Sequence, residues 1–170
     1  MGRRLRFRGE GIHKVDTKGR VSIPADFRRV IEAGDPDFEK GSDRPANFVI
    51  FYGDKKPVLR CYTVQAFEEL EEQIAEHPLG SERRRILSKL YSGRSLTSTL
   101  DGSGRIVLPI LRRRQIGLET EAYFIATGDT FEIWNPVTHE AEEQAATDAF
   151  LDGLPDDFDP LALLDPSVEL

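Results

Sequence analysis

The chain has 170 residues, 39% of them apolar, which is enough for a packed core, and its one cysteine, Cys61, excludes an internal disulfide framework. No stretch approaches transmembrane length, and the arginine-rich start lacks the apolar run of a signal peptide, so the expected setting is cytoplasmic with no membrane partner. The net charge of −7 argues against nucleic acid until its distribution is counted: residues 1–29 carry nine Lys or Arg against three acids, and residues 132–170 carry eleven acids and no Lys or Arg.

Residues 1–9 read as a basic arm in which Arg3, Arg4, Arg6 and Arg8 alternate with small or apolar residues. Residues 11–15 and 20–24 read as two short strands joined by Asp16-Thr17-Lys18-Gly19, a type I turn closed by a left-handed glycine, which makes a tight hairpin. Pro24 then launches a helix with Phe27, Val30 and Ile31 on its apolar stripe, ending at Gly34. Asp35 to Ala46 is a polar loop insertion. Phe48 to Asp54 and Leu59 to Tyr62 form a second hairpin, followed by a helix from Val64 to His77 and a helical connector from Ser81 to Tyr91.

The chain then repeats itself. Leu100-Asp101-Gly102-Ser103-Gly104-Arg105-Ile106-Val107-Leu108-Pro109 answers Val15 to Pro24, with Asp, Gly, Arg and Pro at the same places. Tyr123 to Asp129 answers Phe48 to Asp54, Phe131 to Trp134 answers Leu59 to Tyr62, and Asn135 stands where it can cap a helix from Pro136 to about Phe150. The domains expected are an arm (1–9), a first half (10–77), a connector (78–94), a second half (95–150) and a flexible acidic tail (151–170).

Chemistry in this pattern rests on Arg20 and Arg105, each just past a tight turn. A guanidinium there presents a rigid fork that suits phosphate or a guanine edge; the alternative is a structural pair with Asp16 or Asp101 across the turn. Asp16, Gly19, Asp101 and Gly104 read as turn formers. No catalytic or metal site is legible: His13, His77 and His139 are scattered, and Cys61 lies inside an apolar strand. No cofactor or small-molecule substrate is expected.

Phe7-Arg8-Gly9 with the two Asp-x-x-Gly-Arg copies, each leading into a Pro-led helix, resembles the MraZ family of bacterial transcriptional regulators, from about Phe7 to about Phe150. The resemblance implies an α+β fold, mainly β with flanking helices: an AbrB-like swapped-hairpin β-barrel made from two tandem pseudo-symmetric halves of one chain. It also implies a ring-forming homo-oligomer on double-stranded DNA, associated with the nucleoid and repressing the division and cell-wall gene cluster, including its own promoter. The family motif maps to Asp16 with Arg20 and to Asp101 with Arg105, and it favours DNA contact by the arginines. Lys14, Lys18, Arg6 and Arg8 complete the expected DNA-facing set, with the first copy weighted above the second. A protein-interaction module, antitoxin or assembly platform, is the alternative, and the acidic tail would then dock a partner.

Overall fold

The computed structural model describes residues 3–53 and 55–169. Its contacts divide the chain into two units, one running to Pro136 and the other beginning at Val137. The first unit contains β1 (Glu10–Lys14), β2 (Arg20–Ser22), β3 (Asn47–Phe51), β4 (Val58–Thr63), β5 (Ser95–Thr99), β6 (Arg105–Val107), β7 (Glu121–Ala126) and β8 (Thr130–Trp134). Helices α1 (Ala25–Ala33), α2 (Val64–Ala75), α3 (Glu82–Leu87, continued by a wider π turn over Ser88–Ser92) and α4 (Ile110–Gln115) flank the strands. The fold is α+β, and its ladders are antiparallel: a six-stranded sheet in the order β1-β7-β8-β4-β3-β5 and a two-stranded ribbon, β2-β6.

The arms of the first hairpin do not stay together, as a tight hairpin would require. Beyond the turn they meet only where Val15 bridges Val21; β1 then pairs with β7 and β2 with β6, both from the second half. Reciprocally, β5 pairs with β3 of the first half. The exchange has an apolar cause. Val15, Val21, Ile23 and their counterparts Leu100, Ile106 and Leu108 are all buried, so each hairpin hides its inner face by lying in the other half.

The repeat and the pairing together define a pseudo-twofold axis. Val21 stands opposite Ile106 in the ribbon and Arg60 opposite Glu132 in the sheet, and each pair occupies matching places in the two halves. Arg60 and Glu132 form an ion pair there, Nη2 to Oε2 at 3.5 Å. The ladders also correct one expected correspondence. Lys14 lies opposite Glu121 and its counterpart Thr99 opposite Asn47, so Val49, not Phe48, matches Tyr123. The shared Gly-Asp after each strand suggests the other alignment, but the loop from Phe51 to Val58 is longer than that from Ala126 to Thr130, and Gly128 has a φ of +81° while Gly53 does not reach positive φ. A one-residue slip of this kind exchanges the faces of a strand. Asp54 lies outside the described residues.

Phe131 on β8 joins the layers. Its ring lies 5.0 Å from Phe7 and from Phe27, and 6.1 Å from Phe48 and from Phe124, bringing together the N-terminal segment, α1, β3 and β7. Phe131→Leu keeps an apolar filler but removes the edge contacts, and it should lower stability by about 1 to 2 kcal/mol in urea unfolding. An unchanged midpoint would show that the ring contributes volume alone.

Asp35 organises the loop insertion: its buried carboxylate accepts from the N–H groups of Asp37 at 3.0 Å and Asn47 at 2.8 Å. Asn135 turns its amide to the carbonyl of Gly117, at 2.6 Å. In the second unit, a helical run follows α5 (Pro136–His139) through a π turn (Glu140–Gln144) into α6 (Ala145–Asp152). Within the segment read as a flexible acidic tail, Pro160–Leu164 forms a 3-10 turn, which Asp159 caps by accepting from the N–H of Leu161 at 3.0 Å. No helix among the described residues is long and apolar enough to cross a membrane.

Candidate nucleic-acid interface

Each Asp-x-x-Gly-Arg turn is held by one carboxylate. Asp16 Oδ1 accepts from the N–H groups of Lys18 at 3.0 Å and Arg20 at 2.8 Å, and Oδ2 accepts from Arg20 Nε at 2.6 Å. Asp101 does the same with Ser103 at 2.8 Å, Arg105 N–H at 2.9 Å and Arg105 Nε at 3.0 Å. The turn closes through Gly19 N–H to Asp16 O and Gly104 N–H to Asp101 O, both at 3.0 Å, with the glycines at φ +84° and +74°. Asp, Gly and turn geometry therefore behave as the repeat suggests, twice.

Both carboxyls sit below the ordinary aspartate range. For Asp16 the largest cause is the Arg20 backbone N–H, for Asp101 that of Arg105, with the guanidinium bonds adding to each. Unfolded, these groups titrate normally; folded, they titrate lower. The stability they contribute is thus present above about pH 4 and is lost as pH falls through the lower folded values. An Asp16→Asn/Asp101→Asn variant should lose stability at neutral pH and show a flatter decline on acidification, read as urea midpoints from about pH 6 down to about pH 2. A decline as steep as the parent's would assign the acid sensitivity to other groups.

The structural pair and an outward-facing role for the arginine are compatible. Nε is one of five guanidinium donors; the carboxylate takes it and orients the plane, and no bond among the described residues engages the Nη groups of Arg20 or Arg105. Because Val21 and Ile106 point inward and are 1% exposed, strand alternation places Arg20, Ser22, Arg105 and Val107 on the outer face of the ribbon. Both arginines line one groove of about 330 Å³, together with Lys14. Lys14 stands opposite Glu121 across β1-β7, which offsets part of its charge. Lys18 is exposed at the turn tip.

The remaining expected residues lie elsewhere. Arg6 pairs with Asp129 at 3.3 Å, and Arg4 with Glu69 at 3.3 Å and Asp129 at 3.6 Å. Phe7 is buried and donates its N–H to Gly128 O at 2.8 Å, so residues 3–9 are fastened to the sheet. Arg8 is exposed beside α1. In α4, which carries Arg112, Arg113 and Arg114 in succession, Arg113 donates to Leu108 O at 2.9 Å and Arg112 to Gln115 at 2.8 Å. Ser22 and Val107 are the ribbon residues that the motif alone did not single out. Alternation from the buried Val21 and Ile106 is the signal that finds them. Cys61 is fully buried, and burial, with Glu132 nearby, pushes its thiol well up into the neutral form.

The family described as "MraZ protein, putative antitoxin-like" matches residues 94–153, a stretch that contains the second copy of the turn. "Transcriptional regulator MraZ" of Ruegeria sp. (strain TM1040) is 55% identical over 166 residues, covering 97% of each chain. The chain belongs to the MraZ family. MraZ relatives of the same name from Ruegeria pomeroyi, 52% identical, and Cereibacter sphaeroides (strain ATCC 17029 / ATH 2.4.9), 43% identical, each cover 94% of this chain. In this MraZ chain the two Asp-x-x-Gly-Arg turns lead directly into the paired strands β2 and β6.

Proposed function

We propose that the β2-β6 ribbon is a sequence-reading DNA element and that the chain is a sequence-specific DNA-binding transcriptional regulator. One observation carries the reading: two guanidinium forks, each oriented by its own aspartate, stand on the outward face of a two-stranded antiparallel ribbon. B-DNA's major groove, about 12 Å wide, admits such a ribbon, and arginine forks pair with the two acceptors of guanine. Arg20 and Arg105 are diagonal neighbours, with Arg105 opposite Ser22 and Arg20 opposite Val107. That diagonal is about 7 to 8 Å, roughly two base-pair steps. Ser22 and Val107 complete the face, the one able to hydrogen-bond a base and the other to touch a thymine methyl group.

The family supports repression of a division and cell-wall gene cluster, including the chain's own promoter, from a cytoplasmic, nucleoid-associated ring. In a ring the ribbon recurs at fixed spacing, so tandem sites about 10 base pairs apart would be occupied together and gain affinity by multivalency. Footprinting on the region upstream of the gene tests the reading: protected repeats at helical-turn spacing are expected. Absence of duplex protection even at low salt would replace it with the interaction-module alternative.

A further inference from the structure

A second arginine cluster shares no residue with the ribbon groove. Between the N-terminal segment and α1 lies a cleft of about 370 Å³, lined by Arg3, Arg4, Arg6, Arg8 and Arg29, with Asp26 as the one acid on its wall. Its geometry is set from below. The Phe7 ring packs edge-on against Phe27 at 5.3 Å, and the Phe7 N–H bond to Gly128 O holds the strand-like segment beside the helix. Because α1 turns Phe27, Val30 and Ile31 to the core, Arg29 is left on the exposed side facing the segment.

Arg4 and Arg6 are partly neutralised by Glu69 and Asp129, but Arg3, Arg8 and Arg29 have no ion pair among the described residues. From the first turn of α1 the wall takes only Asp26, whose carboxylate offsets the helix's positive end, so the cleft's positive charge comes from the arginines. Solvent screens much of the mutual repulsion of these exposed guanidinium groups, and a bound anion would relieve the rest. Planar forks converging from two sides suit tetrahedral anions carrying several acceptor oxygens.

We propose that this cleft is a phosphate-binding site, taking neighbouring phosphate groups of one polyanion, either a free polyphosphate or the phosphodiester backbone of a nucleic acid. The site does not rest on the ribbon reading. Leu5 and Val30 supply an apolar edge that limits solvent access to the bound groups.

The test is calorimetric titration of the full chain with inorganic tripolyphosphate at low salt. Saturable binding is expected, weakened about tenfold or more in Arg8→Gln/Arg29→Gln and unchanged in Lys40→Gln, an exposed cation outside the cleft. Both substituted side chains are exposed, and thermal melting checks that the variant folds; Arg8→Gln alone serves if the double variant does not. The salt dependence of duplex binding separates the two sources. If the backbone is the ligand, the double variant's log–log slope is shallower by about 2 and tripolyphosphate competes with DNA. If the ligand is free, the slope is unaltered while tripolyphosphate binding is lost. Equal tripolyphosphate affinity in parent and double variant, together with an unaltered slope, overturns the proposal.

Discussion

Removing both ribbon arginines, Arg20→Ala/Arg105→Ala, should abolish specific duplex binding while leaving the protein folded. Each fork that reads a base is worth about 1 to 3 kcal/mol, so the pair accounts for roughly 2 to 6 kcal/mol if the two contacts are independent. The fold should tolerate the change. Asp16 keeps its bonds from Lys18 and residue 20 backbone N–H groups, Asp101 keeps the equivalent pair, and an exposed ion pair contributes little to stability. Gel-shift titration against the footprinted operator, with a thermal melt as control, reads both quantities. Arg20→Lys sharpens the result: a lysine keeps the charge but cannot give Nε to Asp16 and a fork to a base at once, so discrimination between operator and random duplex should fall more than non-specific affinity. Of the single variants, Arg20→Ala should cost more than Arg105→Ala, because the turn before Arg20 carries Lys18 where the second copy has Ser103. Normal operator binding by the double variant would remove the ribbon from the mechanism.

The second large effect is on folding. Gly19→Ala should destabilise the chain by roughly 3 kcal/mol or more, through two causes that add. Its φ of +84° alone costs an alanine about 1 to 2 kcal/mol. In addition, a Cβ there would fall 2.4 Å from the carbonyl oxygen of Leu108, which accepts from Arg113 Nε, while Leu108 N–H donates to Gly19 O at 2.8 Å. That contact is backbone against backbone, between the exchanged hairpin and the other half, so relief requires the swap itself to loosen. Gly104→Ala should cost less: its Cβ would meet the Arg28 guanidinium at 2.5 Å, the far end of a flexible side chain. Gly80→Ala, at φ +83° with nothing within 4 Å, isolates the dihedral part at about 1 to 2 kcal/mol. Equal losses at all three glycines in urea unfolding would show that packing between the halves plays no part.

Much of this was legible in the repeat. Asp, Gly and the following arginine specify the same turn wherever they stand, because the carboxylate reaches the two backbone N–H groups ahead of it and glycine supplies the left-handed dihedral. Alternation around Val21 and Ile106 likewise marks a half-buried strand. Which strand pairs with which was not legible from local pattern. A three-residue strand such as β2 is equally complementary to β1 and to β6, and the choice is made by where the apolar faces of both halves meet. The arginine cleft was hidden for a similar reason. Arg3 to Arg8 read as a basic arm because their charges lie close together in the chain, whereas Phe7 pins them to the body and Arg29, twenty-one residues after Arg8, completes the cluster.

The Arg60–Glu132 pair also bears on how such a chain must assemble. At a true twofold axis between identical subunits, a residue faces its own copy. Two first halves joined this way would set Arg60 against Arg60, and two second halves Glu132 against Glu132, like charges in the middle of a sheet. Covalent linkage lets the matching positions differ, so complementary charges can occupy the axis. Each half is thereby mated to the opposite half, and the polarity disfavours pairing of two like halves from different copies.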